Sequence, residues 1–252
     1  ELQAHSASGH WSWVLDNVVC PAWTRRCSLN RTQMAQAAVS SLRLFGVAAH
    51  ESSAVHSLAG GTSLVQFRSL AAVVEPGAKY SRIVLDEDEM REYTRVLEEV
   101  QALTSVLPAP AGTIFRSRES LTRWLELHYF TLTQTMSSIE GHGQARLTIT
   151  RTPGMDAPDA SGSEAKESGK QLVATASQSM RVLRGQAAAT VMLPAIEGDT
   201  KIVAQASFLV ELDRWTEFAD LCTKEDERQT ALDFHLSGPW PPYDFVKMQF
   251  GG

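Results

Sequence analysis

Cysteine, positive charge and long apolar runs are all scarce in this sequence. Cysteine occurs three times in 252 residues, at Cys20, Cys27 and Cys222. A sparse, odd set excludes a disulfide framework and fits a reducing compartment. Lys and Arg (23) are outnumbered by Asp and Glu (29), which leaves a formal net charge of −6 and a sequence pI near 5.7. That balance argues against a nucleic-acid partner held by phosphate neutralisation. No apolar run approaches the about 20 residues that span a bilayer. No basic stretch followed by an apolar core marks a secretory signal. Catalytic signatures are missing too: there is no G-x-S-x-G elbow, no phosphate loop and no H-E-x-x-H. Cys20 and Cys27 lie too far apart for a usual zinc knuckle. The histidines (His5, His10, His50, His56, His128, His142 and His235) are scattered. No metal, nucleotide or other cofactor is expected, and no membrane partner.

What is present is a globular composition, 43% apolar, in a chain long enough for one large domain or two of ordinary size. The first forty residues stand apart, with Trp11, Trp13 and Trp23 but little periodicity. Either the native protein starts at Met34, or 1–40 is a poorly ordered extension. From Ser41 the pattern becomes regular. Leu42–Ala49 reads as a strand, Glu51–Leu58 as a short helix, and Ser63–Glu75 as a strand pair bent near Ser69. Asp86 opens a helix whose apolar face is Met90, Tyr93, Leu97, Val100 and Leu103, stopped by Pro108 and Pro110. Thr113–Ser117 is short and extended. Ser117 then caps a helix with Leu121, Trp124, Leu125, His128, Leu132, Met136 and Ile139 on one stripe. Arg146–Thr150 alternates as a strand does. Pro153–Gly169, rich in Pro, Gly, Ser and Ala, reads as a mobile loop. Leu172, Ala176, Met180, Leu183 and Ala187 mark a third helix ending before Pro194. Lys201–Glu211 is a long strand, Trp215, Phe218 and Cys222 follow at helical spacing, and Leu232–Leu236 is a short strand. Strands and helices mix without a βαβ rhythm, so the class is α+β.

The C-terminal stretch carries the most information. Pro239, Pro241 and Pro242 fix three φ angles and restrict the residues before them. Trp240, Tyr243 and Phe245 hang large apolar area on that stiff rod. Two readings stand side by side: an aromatic docking strip for a partner, or an intramolecular corner that packs across the core.

Gly238-Pro239-Trp240-Pro241-Pro242-Tyr243-Asp244-Phe245 resembles the terminal signature of the gas vesicle protein F/L family. Leu64–Glu75, Val96–Phe115 and Ala206–Phe218 resemble further family segments in the family's order. Where many members carry Arg-Phe-Gly, this chain has Pro110-Ala111-Gly112, and the stretch before Ser41 has no family counterpart. The resemblance implies two α+β domains: a ferredoxin-like one over 41–112 and a mixed one over 113–237. A Pro-rich tail, 238–252, follows and returns to the first domain. It also implies a non-enzymatic accessory protein of gas vesicle assembly, in the cytoplasm. Such a protein binds the hydrophobic major shell protein and other accessory proteins, and is retained at the gas-facing side of the shell. Gly238, Pro239, Trp240, Pro241, Pro242, Tyr243 and Phe245 are then the candidate interface. The alternative is a small-molecule enzyme whose site converges from distant residues. A ferredoxin-like sheet needs a fourth strand: Thr113–Ser117 could supply it but is short, so the longer Tyr243–Phe250 is expected to pair with the first sheet, with Trp240 buried in the seam between domains.

Overall fold

Nine strands and four α-helices stand among the described residues, and most of them follow from the patterns above. The computed structural model describes residues 41–50, 61–77, 85–153, 162–194, 201–246 and 248, which belong to one compact unit, Val39–Gly252. The extension over 1–40 and the helix expected over 51–58 lie outside the described residues. In chain order come β1 (Leu42–Ala49), β2 (Ser63–Phe67), β3 (Leu70–Pro76), α1 (Glu87–Gln101), β4 (Val106–Pro108), β5 (Ile114–Phe115) and α2 (Arg118–Ile139). Then follow β6 (His142–Arg151), α3 (Gly162–Arg184), β7 (Ala189–Met192), β8 (Ile202–Glu211), α4 (Trp215–Arg228) and β9 (Leu232–Trp240).

The strands form two sheets that are antiparallel throughout. The first runs β2-β3-β1-β4, with β5 beside β4 along the same edge of β1. The second runs β7-β8-β6-β9. Counted from its own first strand, each sheet has the order 2-3-1-4. A helix joins the third and fourth strands in both cases, α1 in the first and α4 in the second.

The first sheet is covered on both faces. Phe45, Ala48, Val73 and Val106 pack under Tyr93, Val96, Leu97 and Val100 of α1. Leu42, Leu44, Val47, Val65, Ala72 and Leu107 pack on the opposite side with Leu121, Leu125, Leu132 and Met136 of α2. A strand buried on both faces has no polar alternation to show, which is why β1 reads as an almost unbroken apolar run. Its exception is Arg43, 5% exposed, which meets Glu89 of α1 at 2.7 Å and Glu75 at 3.6 Å. In the second sheet α3 and α4 cover one face. Leu147, Ile149, Phe208, Val210 and Leu232 meet Ala176, Met180, Leu183, Phe218 and Cys222 there.

Both helix starts follow their caps. The Asp86 carboxylate accepts the Glu89 N–H at 2.9 Å, and Ser117 forms a capping box with Ser120. Several expectations need correction. Pro108 ends β4 instead of merely stopping a helix: Val106–Pro108 is the fourth strand of the first sheet, and Pro is tolerated on an edge. On either side of residue 112, β4 and β5 both pair with β1, and α2 packs on the same sheet. Residues 162–169 of the expected mobile loop belong to α3, in keeping with the helix-forming Glu164, Ala165, Lys166 and Glu167. That helix ends at Arg184, and Ala189–Met192 after it is a strand. Met90 and Leu103, expected on the buried face of the helix that Asp86 opens, are 39% and 43% exposed, and Leu103 lies past the end of α1 at Gln101.

Candidate functional site

The signature stretch begins inside a strand. β9 extends through Trp240 and pairs with β6, Gln144 lying opposite Trp240 across a register shift. Two glycines make this end of the sheet possible. Gly238 has φ +129°, and a Cβ there would stand 2.6 Å from the Gln144 carbonyl oxygen and 2.8 Å from Cη2 of Trp215. A Cβ on Gly143 would stand 2.8 Å from Cβ of Pro239. Pro239 therefore lies directly over the β6 backbone, and its side chain is a lid on Gly143.

Pro241 and Pro242 are buried, and the chain turns sharply after them. Tyr243 donates its N–H to the Pro241 carbonyl at 2.7 Å, and Phe245 does so to Pro242 at 3.1 Å. Tyr243–Phe245 is a turn, and no described residue of 241–248 is strand. The expected pairing of this stretch with the first sheet is thus corrected: that sheet already has β4, and the missing N–H groups of the prolines favour a turn. Trp240 is also corrected. It is half-buried, donates Nε1–H to Ser237 Oγ at 3.2 Å, and its carbonyl accepts from Gln101 Nε2 at 3.2 Å.

The tail makes three sets of contacts. Tyr243 packs into the cluster under α1, its ring 6.2 Å from that of Tyr93. Burial, joined by the nearby Glu98 carboxylate, pushes the Tyr243 phenol up to about 12, against a weaker pull from the Thr94 hydroxyl. Phe245, Val246 and Met248 pack against the cluster that α2 builds with the first sheet. Asp244 turns the other way. One of its carboxylate oxygens accepts from Gln144 Nε2 at 2.7 Å, Arg146 Nη2 at 2.9 Å and Ser207 Oγ at 2.5 Å. Its N–H donates to Gln144 Oε1 at 2.9 Å, so Gln144 grips both backbone and side chain. Gln144 and Ser207 are themselves buried. The turn joins the two sheets: aromatic contacts hold it to the first, and charge-assisted hydrogen bonds hold it to the second.

Asp244 was missing from the candidate residues although it sits among them. An acidic residue between two aromatics in a proline-stiffened run was the available signal. Gln144 and Ser207, 100 and 37 residues away, gave none. His128 lines a groove of about 250 Å³ with Leu107, Trp124, Val246 and Met248, its ring 5.1 Å from that of Trp124. On the outer side of α2, Leu127 and Phe130 are 75% and 78% exposed, three residues apart on one helix face. Among the described residues no three His, Cys, Asp or Glu side chains gather to hold a metal ion, and no helix is long and apolar enough to cross a membrane.

Comparison with known proteins agrees with this architecture. The family model described as gas vesicle synthesis protein GvpL/GvpF matches residues 42–189 and 160–247. The fold is similar to the crystal structure of the gas vesicle protein GvpF from Anabaena sp. PCC7120, at 15% identity and a TM-score of 0.67. That match covers 84% of this chain and 100% of the other. It is also similar to GvpF from Microcystis aeruginosa, at 16% identity and a TM-score of 0.64, covering 83% and 100%. Among curated proteins, no sequence matches.

Proposed function

This chain belongs to the GvpL/GvpF family of gas vesicle synthesis proteins, and from that premise we propose that it binds the hydrophobic shell protein during vesicle assembly. It acts there without catalysis, alongside other accessory proteins, and stays at the gas-facing side of the shell inside the cytoplasm. The family is one of gas vesicle structural and accessory proteins, which supports an assembly role. The observation that carries the choice of partner is the exposed pair Leu127 and Phe130 on α2. A shell that excludes water on one face is built from subunits with large apolar patches, which aggregate if left free. An acidic protein offering an apolar helix face covers such a patch and keeps the subunits dispersed.

In this reading the candidate residues Gly238, Pro239, Trp240, Pro241, Pro242, Tyr243 and Phe245 organise the surface. Buried Pro241 and Pro242, and Tyr243 against Tyr93, support a clasp that fixes one sheet against the other. We read the first sheet with α1 as the ferredoxin-like domain.

The test is co-expression of the full chain with the small hydrophobic shell protein, followed by affinity purification. The shell protein is expected to co-purify with the native chain. It is expected to be lost from a Leu127→Asp, Phe130→Asp variant whose stability changes by less than about 1 kcal/mol, since both residues are exposed. Equal recovery with both chains would overturn the docking face, and no recovery with either would overturn the partner.

A further inference from the structure

The second sheet ends at β7, whose outer edge pairs with no strand among the described residues. The Leu193 N–H donates to the Gln205 carbonyl at 3.0 Å. In an antiparallel ladder backbone groups alternate sides, so Val191 and Ala189 also face β8. The N–H and C=O of Thr190 and Met192 therefore face outward. An open edge is a template for another chain, and proteins usually blunt one with charge, shortness or proline. Here β7 is four residues long and Pro194 follows it, which limits an added strand to the same short span.

A groove of about 280 Å³ lies between this edge and α3, lined by Ser177, Met180, Arg181, Arg184, Thr190 and Met192. Its floor is apolar: Met180 is buried, and Met192 is 60% exposed. Arg181 and Arg184 stand on its wall in the last turn of α3. Cations favour a helix C-terminus by themselves, so their position alone points to no ligand. Two observations go further. Neither guanidinium has an ion pair or hydrogen bond among the described residues. The Thr190 Oγ1 is buried without a hydrogen-bond partner, a state that costs stability unless something else satisfies it.

We propose that β7 and this groove receive an extended acidic peptide segment of a partner protein as an added fifth strand. Its main chain bonds the outward groups of Thr190 and Met192. Alternate side chains enter the groove, an apolar one over Met180 and Met192 and an acidic one between Arg181 and Arg184. A polar atom entering with them satisfies Thr190 Oγ1. Main-chain bonds along the edge give affinity, and the paired guanidiniums select carboxylates over cations. This site lies on different elements from Leu127 and Phe130, so it stands or falls apart from the shell-protein reading.

The test uses the full chain and two short labelled peptides, one alternating valine with glutamate and the other valine with lysine. Fluorescence anisotropy is expected to show binding of the glutamate peptide only. An Arg181→Glu, Arg184→Glu variant should weaken it by about tenfold or more, as loss of close charge pairs does. Thr190→Pro removes one outward N–H and leaves the β8 ladder whole, so it should weaken binding comparably. Hydrogen exchange on the native chain supplies a readout that needs no variant: glutamate peptide should slow exchange at the Thr190 and Met192 amides. No binding, equal binding of the lysine peptide, undiminished binding by the arginine variant, or unchanged exchange at those two amides would each overturn the proposal.

Discussion

In the first sheet β1 is buried along seven of its eight residues, because α1 lies on one face and α2 on the other. In the second sheet β6 alternates: Ala145, Leu147 and Ile149 face α3 and α4, while Arg146, Thr148 and Thr150 face away. Strand order is the same in both. The difference teaches that side-chain period reports what covers a strand, and that topology is set elsewhere, by turns and helix lengths. On the other face of the second sheet Leu209 is buried in the cluster that α2 shares, and the rest is polar along Thr148, Gln205 and His235, with Gln205 Nε2 donating to Thr148 Oγ1 at 3.0 Å. At one end it is closed by Asp244, through which the C-terminal turn makes polar contact with that face.

The largest expected effects come from neighbouring residues. Leu44→Ala and Phe45→Ala point to opposite faces of β1, and each should cost about 2–5 kcal/mol. On β6, Leu147→Ala should cost a similar amount, whereas Thr148→Ala should stay within about 1 kcal/mol. Urea unfolding of the four variants checks this. A neutral Phe45→Ala, or a costly Thr148→Ala, would break the contrast between the sheets.

Next in size is Arg43, the charged exception on the doubly covered strand. Arg43→Met removes its pairing with Glu89 and Glu75 and should cost about 2 kcal/mol, below the 3–5 kcal/mol of a fully buried pair because both carboxylates keep water contact. Thermal melts measure it. A stabilised variant would mean that apolar packing outweighs the ion pair at that site.

A pH effect should distinguish the second core. Burial, with the Asp226 and Glu225 carboxylates nearby, pushes the Cys222 thiol up to about 11 from 9.0. The raised folded value means that, as pH rises above 9, the unfolded thiol loses its proton first. Stability is thus fully present below that range and falls as pH climbs toward 11. Melting temperatures of native and Cys222→Ala chains across that window should converge as pH increases. Parallel curves would show that Cys222 contributes nothing to the alkaline loss.

The smallest effects belong to the helix caps, one for each helix that sandwiches the first sheet. Asp86→Ala at α1 and Ser117→Ala at α2 should each cost about 1 kcal/mol. Costs above that value at Ser117 alone would show that α2, and not the cap, depends on the hydroxyl.

These elements differ in how openly the sequence displayed them. The caps at Asp86 and Ser117, the apolar stripe of α2 and the alternation of β6 and β8 are local patterns, and each was readable. Three features were not. β7 hides because Ala189-Thr190-Val191-Met192 follows an Ala-rich stretch that continues the helical stripe. β4 hides because Pro108 reads as punctuation, although an edge strand tolerates it. The role of Asp244 hides because its partners Gln144, Arg146 and Ser207 are brought to it by strand register alone. Within the signature, Gly238 and the prolines were recognisable as a stiff unit. That it forms a turn against Tyr93, and not a strand, depends on a fourth strand already filling the first sheet.

The most direct test of the clasp is Asp244→Ala in the full chain, read by melting and by recovery of co-expressed shell protein. Loss of three hydrogen bonds to one buried-side carboxylate oxygen should cost about 2 kcal/mol. Recovery of shell protein should fall with it while Leu127 and Phe130 remain intact. An Asp244→Ala chain with native melting and native recovery would contradict the claim that this turn holds the two sheets in their working arrangement.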